Sequence, residues 1–371
     1  MSVYLNHIVN DVPDHRYSQS FVRDFLKEHI SMDRKSGLAI HHIYKNSGIE
    51  SRYSVIPDFS ESNDQVGLFF NPQTKTLNSP TTGERNHLYE IEAKKLYTRL
   101  SSKLISEIPK LDKSKITHVI TVSCTGFYAP GPDLDVVKFN GLNPSVQRFH
   151  IGFMGCYAAF PAFRLAKSIC EATPDAIVLI VSVELCTLHL KFQTDNDSMI
   201  STSVFADGGA ATLVSTQRDL TPDSGYEIDG LESIVTENGA EDMAWSIGDN
   251  GFDMILSTYI PDLLASNIRN ILMPIMNKHK VEYNDIDLWA IHPGGRAILD
   301  KISAELSIDE SKFTPSRDVL RDYGNMSSAT ILFVLNKMRE LGTSADQSVL
   351  GMAFGPGLTV ETGLFKLFSN K

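Results

Sequence analysis

The chain has 371 residues, 42% hydrophobic and 21% charged, with a formal net charge of −11. That balance indicates a globular protein long enough for a large core and two domain-sized halves. An acidic surface argues against nucleic acid or an anionic membrane as partner, and it obliges any anionic substrate to find a local basic entrance. Four cysteines, Cys124, Cys156, Cys170 and Cys186, show neither CxxC spacing nor a metal pattern. The N-terminus has no signal-like h-region, and no run approaches the roughly 18 apolar residues of a membrane helix. Free thiols in a reducing cytoplasm are expected, with no metal and no membrane span.

In chain order, helical periodicity covers 18–30, and an Asn/Pro/Thr/Ser-rich loop spans 71–83. An amphipathic helix is predicted over 84–108, closed by Pro109. Residues 117–124 read as a β-branched strand, followed by a Gly/Pro loop and a short helix near 134–139. Residues 147–152 lead into a Gly155-Cys156 step before a helical run. Residues 175–184 are apolar at nearly every position, which predicts a strand buried on both faces. A turn and another strand follow over 203–214. The second half repeats the grammar: a helix at 260–278, a strand at 287–292, a Pro-Gly-Gly turn, and helices at 296–306 and 325–341. Two strands over 348–368 are joined at Gly355-Pro-Gly357. Alternating strands and helices imply an α/β architecture with a mostly parallel sheet. The halves are placed at 1–225 and 226–371.

Cys156 falls at a strand-to-helix turn, where backbone N–H groups and the helix dipole favour a thiolate. Gly155 removes a side chain beside the sulfur, so a substrate can approach closely. His292 ends an apolar strand, where open α/β sheets place ligands. Asn325 is predicted to begin a helix, as an N-cap whose side chain faces the pocket. A nucleophile, a base and an amide result. His292 can pair with the thiolate, and His292 with Asn325 can donate to an oxyanion on a thioester or enolate. The order Cys, His, Asn also fits a papain-like protease, with 136 residues between Cys156 and His292. That reading is rejected, because the Cys-Gly-x-Cys-Trp context is missing and Cys156 lies far from the N-terminus.

Four motifs carry a resemblance: Gly152-Phe-Met-Gly-Cys156, Ile291-His-Pro-Gly-Gly-Arg-Ala-Ile298, Tyr323-Gly-Asn-Met-Ser-Ser328 and Phe354-Gly-Pro-Gly-Leu-Thr-Val-Glu361. Together, in order and over essentially the whole chain, they resemble the chalcone synthase family, the type III polyketide synthases. The resemblance implies the thiolase fold, with duplicated αβαβα layers and mostly parallel mixed sheets. It also implies a homodimer that condenses malonyl-CoA iteratively onto an acyl-CoA starter, with no cofactor beyond these coenzyme A thioesters. Cys156 would carry the acyl chain, while His292 and Asn325 would promote malonyl decarboxylation.

Phe205 matches a gate position between the coenzyme A tunnel and the cavity, and Met254 matches the second gate. Cys124, Thr125, Cys186, His189, Ser201, Trp245 and Ser327 match cavity-lining positions. Several depart from the plant enzymes: Cys124, Cys186 and His189 stand where those have threonines, and Ser201 and Trp245 where they have glycines. Cys124 and Cys186 look more like bacterial members. A chalcone product is therefore not expected. Arg52, with Lys45, is the candidate for coenzyme A phosphate. The alternative within the fold is a priming enzyme resembling β-ketoacyl-carrier-protein synthase III.

Overall fold

In the computed structural model, which describes residues 1–59, 65–342 and 345–370, the chain opens with β1 (Tyr4–Asp11), β2 (His15–Ser18), α1 (Gln19–Ile30), α2 (Arg34–Asn46) and β3 (Ser51–Ser54). A hairpin of β4 (Phe70–Asn71) and β5 (Thr76–Leu77) precedes α3 (Thr82–Ser106). Next come β6 (His118–Ser123), α4 (Pro132–Asn140), β7 (Gln147–Gly152), α5 (Ala159–Ala172), β8 (Ile177–Leu185), α6 (Asn196–Val204) and β9 (Asp207–Ser215). The second half holds β10 (Ser224–Val235), β11 (Met243–Gly248), β12 (Gly251–Leu256), α7 (Ile260–His279), β13 (Leu288–Ile291) and α8 (Arg296–Leu306). It ends with α9 (Thr314–Tyr323), α10 (Thr330–Glu340), β14 (Gln347–Gly355) and β15 (Thr359–Ser369).

Nine strands form a mixed sheet in the order β13-β14-β15-β10-β1-β9-β8-β6-β7. The expected parallel pairing is found in β7–β6–β8 and in β13–β14, and the remaining ladders are antiparallel. The two chain halves occupy opposite ends of this order. Within the sheet they meet where Tyr4 and Leu5 pair with Glu227 and Tyr226. Helices α3 and α4 cover one end of the sheet, and α7 and α8 cover the other. Helices α5 and α10 contact strands of both ends and form the central layer. The result is an α/β protein in five layers, αβαβα. A helix sandwiched this way must be apolar nearly all round, and α10 buries eight of its eleven residues.

The long helix α3 begins two residues before its expected start because Thr81 and Glu84 form a reciprocal capping box. Its Arg85 is 1% exposed. The guanidinium donates from Nη1 to Leu188 O (2.6 Å) and Leu190 O (3.0 Å), and from Nε to Pro80 O (2.9 Å). It also lies 4.9 Å from the Phe69 ring centroid. The first turn of α3 thus anchors the segment that follows β8.

The C-terminal region differs from expectation at two places. Helix α9 was not anticipated, although Pro315 in its first turn is a start signal. The helix expected from residue 325 begins only at Thr330. Gly324, at φ +75°, ends α9, and Asn325 forms an isolated parallel bridge with Phe205.

Replacing Arg85 with Ala strands three buried carbonyls. A loss of about 2–4 kcal/mol in urea unfolding is expected; a change below about 0.5 kcal/mol would show that these carbonyls find other donors.

Candidate active site

Strand ends deliver the site. The chain leaving β6 supplies Cys124 and Thr125, that leaving β7 supplies Cys156, and that leaving β13 supplies His292. With Asn325 and the β11–β12 hairpin they enclose a cavity of about 620 Å³, mouth included. Ten of the expected positions line it: Cys124, Thr125, Cys156, Cys186, Phe205, Trp245, Met254, His292, Asn325 and Ser327. Gly294, Ile298, Leu256 and Pro356 are among the further wall residues, where sequence reasoning had named no lining residue.

Cys156 lies in a turn, and α5 starts three residues later, at Ala159. Gly155 has φ +89°, and a Cβ there would stand 2.4 Å from Pro356 Cδ. Glycine is therefore required by the left-handed backbone and by Pro356, rather than by an approaching substrate. The Gly155 N–H also donates to Cys124 Sγ at 3.0 Å. The Ser327 and Asn325 side chains each favour the ionised form of the Cys156 sulfur.

His292 is 1% exposed, and neither ring nitrogen has a partner among the described residues. Its backbone is held by an N–H donated to Met352 O at 2.7 Å. Burial pushes the imidazole down to about 3. Burial likewise pushes the Cys156 thiol up to about 12, opposed in part by Ser327 and Asn325. Each charge alone is unfavourable in this enclosure. The helix terminus therefore does not by itself hold a thiolate.

Asn325 is not a helix cap. Its N–H donates to Val204 O (2.8 Å), and its carbonyl accepts from Ala206 N (2.9 Å). Its Oδ1 accepts from Ser327 N (2.9 Å), and its Nδ2 donates to Gly294 O (3.2 Å). These partners set the amide orientation. The backbone is committed to a bridge between the chain halves, which is why no helix starts there. Phe205, expected at a strand start, is instead the residue that ends α6.

Two expected lining residues lie off the wall. His189 is held by Thr125 O (2.7 Å) and Phe252 N (3.1 Å), stacks on Phe252, and meets Trp245 edge-on. It supports the wall from behind, and burial keeps it neutral. The Ser201 hydroxyl turns back onto its own helix, to Asp197 O and Ser198 O. Arg52 also departs from its expected role. It is 5% exposed, and its Nη1 donates to Thr202 O (2.6 Å) and Phe205 O (2.7 Å). A guanidinium clamped inside the core presents no charge to a phosphate. Lys45 is exposed in the last turn of α2.

Glu184 was missed. It is fully buried; its Oε2 accepts from Cys124 N (2.9 Å) and Thr125 Oγ1 (3.0 Å), and its Oε1 accepts from the Ser328 hydroxyl. Burial raises its carboxyl to about 7. The available signal was a single carboxylate closing an otherwise apolar strand.

Comparison with known proteins agrees with this geometry. Residues 5–218 match the N-terminal domain, and residues 231–368 the C-terminal domain, of chalcone and stilbene synthases. The chain belongs to that family. It is similar to the PKS-I of the brown alga Ectocarpus siliculosus, at 28% identity and a TM-score of 0.90, covering 99% of this chain and 98% of the other. It is also similar to the C-terminal type III polyketide synthase domain of Steely1, a type I/III hybrid from Dictyostelium, at 27% identity and a TM-score of 0.88, covering 99% of each chain. The protein is a type III polyketide synthase, an acyltransferase on the thiolase-like fold. Both family domains favour this over the priming-enzyme alternative.

The expected pairing of sulfur and imidazole has a direct consequence. At pH 7, iodoacetamide should label Cys156 about 100-fold more slowly in His292→Ala than in the parent, the order of rate that a positioned general base contributes. Equal labelling rates would disconnect the sulfur from the imidazole.

Proposed function

We propose that Cys156 takes the starter acyl group from coenzyme A. As the sulfur attacks the thioester carbonyl, His292 accepts the thiol proton, and coenzyme A leaves as the thiol. Malonyl-CoA then enters, and its thioester carbonyl accepts hydrogen bonds from Asn325 Nδ2 and from the N–H of a neutral His292. Loss of carbon dioxide places charge on that oxygen, which these donors stabilise. The resulting enolate attacks the acyl–Cys156 thioester, the bond from acyl carbon to Cys156 sulfur breaks, and the extended chain is left on coenzyme A; for the next round the freed sulfur attacks that thioester and coenzyme A leaves. A cyclised phenolic or pyrone product is released.

The observation that carries this reading is convergence. A thiol, an imidazole with two unpartnered nitrogens and an oriented amide share one enclosed, largely apolar cavity. No base stronger than imidazole is required, since decarboxylation needs electrophilic help and not proton abstraction. The substrates are coenzyme A thioesters, and no further cofactor enters. No helix among the described residues is long and apolar enough to cross a membrane, and we assign the enzyme to the cytoplasm, without nucleic acid or membrane partners. The halves 1–225 and 226–371 are read as its two domains, and Cys124 and Cys186 as a bacterial-like trait.

Trp245 and Met254 sit directly opposite each other on the β11–β12 hairpin, so their side chains share a face. Trp245 takes up volume and limits chain length. Met254 places a flexible thioether at the gate, which suits aliphatic starters. Phe205 meets Trp245 edge-to-face at 6.2 Å.

A homodimer is inferred from the sheet edge. β7 is the last strand in the order, and Gln147 to His150 are exposed along it. Phe149 is 37% exposed, and Phe139, in the neighbouring α4, is 62% exposed. An exposed edge strand flanked by aromatic rings is a template for pairing with a second copy.

Cys156→Ala should abolish chain extension and leave measurable carbon dioxide release from malonyl-CoA. Asn325→Ala should slow that release by about 100-fold while starter loading on Cys156 persists. Loss of loading in folded Asn325→Ala would contradict the division of labour. In the same mass-spectrometric assay, Trp245→Gly should give products at least one malonyl unit longer. Sedimentation equilibrium should return twice the chain mass of 41.2 kDa, falling toward one chain on Phe149→Asp; a parent that stays at one chain mass at micromolar concentration would remove the dimer.

A further inference from the structure

Burial of Arg52 leaves the anionic end of a coenzyme A thioester without its expected anchor. Another arginine stands in sequence between two residues of the cavity wall. Arg296 opens α8 between Gly294 and Ile298, both of which line the cavity, and it is itself exposed. The turn after α2 lies against it: a Cβ on Gly48 would stand 3.2 Å from Arg296 Cβ. The next residue, Ile49, belongs to the cluster with Cys186, Val204 and Phe205, on which Cys156 and Met254 pack. Arg296 therefore stands where the α2–β3 turn, the gate residues and the start of α8 come together.

Its ion-pair partner is shared. Arg296 Nε is 3.2 Å from Asp300 Oδ2, while the other oxygen of Asp300 pairs with Arg317 at 2.7 Å. Asp300 thus serves two guanidiniums, of which Arg317 also pairs with Glu310 at 2.7 Å. The first turn of α8 contains no acidic residue, and its N-cap, Gly295, supplies no side-chain cap. The free N–H groups of that turn add to the local positive potential. A chain of net charge −11 needs a local basic entrance for a polyanionic substrate.

We propose that Arg296 is the positioning residue that holds a phosphate of the coenzyme A thioester at the cavity mouth. A guanidinium presents parallel N–H donors to two phosphate oxygens and keeps its charge at every working pH. Held there, the nucleotide end sets how far the thioester arm reaches toward Cys156, and Arg296 takes no part in bond making. The inference rests on the coenzyme A thioester reading above.

The test compares the full-length enzyme with Arg296→Ala and Arg296→Lys. The substrates are malonyl-CoA, malonyl-dephospho-CoA and the malonyl thioester of N-acetylcysteamine, which carries no phosphate. KM for malonyl-CoA should rise about tenfold in Arg296→Ala with kcat within about twofold, a loss matching one charged hydrogen-bonding group. Arg296→Lys should recover part of it. KM for the N-acetylcysteamine thioester should not move. The parent's KM for malonyl-CoA should increase with salt more steeply than that of Arg296→Ala. A variant effect that disappears with dephospho-CoA assigns Arg296 to the 3′-phosphate, and one that persists assigns it to the pyrophosphate. An unchanged KM for malonyl-CoA, or an equal rise for the phosphate-free thioester, would overturn the proposal. A parent that turns over the phosphate-free thioester but no coenzyme A thioester would overturn the substrate reading together with it. That result is distinct from a failure of Arg296 alone.

Discussion

Two backbone hydrogen bonds hold the site together. Asn325 N–H reaches Val204 O, and Ala206 N–H reaches Asn325 O. Through them a segment of the second half is laid against the turn between α6 and β9 of the first. Asn325 and Ser327 thereby arrive beside Cys156, and Phe205 is held at the cavity wall between its two bonded neighbours. Arg52 secures the same turn from the other side, donating to Thr202 O and Phe205 O. A buried arginine is costly unless its donors are matched. Here Nη1 is matched twice and ties β3 to the end of α6 within the first half.

Enclosure then sets the electrostatics. The same loss of water that raises the Cys156 thiol lowers the His292 imidazole and raises the Glu184 carboxyl. The result is a cavity with neutral donors at rest, in which a charge formed on a thioester oxygen is felt strongly. Glu184 joins the loop after β6 to Ser328, on the segment that carries Asn325. Its folded pKa lies above its ordinary value, so its contribution to stability is fullest below that ordinary value and is lost as the pH rises to about 7. Its ionised form also opposes a thiolate at Cys156.

Chemistry and selectivity rest on different parts of the fold. The thiol and imidazole follow strands of the main sheet, with cores on both faces. Trp245 and Met254 ride on a separate two-stranded hairpin. That hairpin is tied back by the stack of His189 on Phe252 and by the Thr82 hydroxyl donating to Gly248 O. Substitutions there can reshape the cavity while the reacting groups keep their mutual geometry. His189 belongs to this support, since both ring nitrogens are engaged: Nδ1 accepts from Phe252 N–H, and Nε2–H donates to Thr125 O.

Much was legible without coordinates because it is local. Helix α8 has the expected bounds, α7 and β6 nearly so, and β8 is buried at every residue as its composition required. Cys156, His292 and Asn325 were identified from short motifs, since residue type and a nearby turn suffice to mark them. The tertiary structure decided everything that depends on a partner far along the chain. Asn325 reads as a helix start until its backbone meets residues some 120 positions earlier, and Arg52 reads as surface charge until Thr202 and Phe205 close over it. His189 lies behind the wall, and Glu184 is active in the network, for the same reason. Periodicity and propensity are written within a few residues, whereas burial and hydrogen-bond partners arise only when the layers pack.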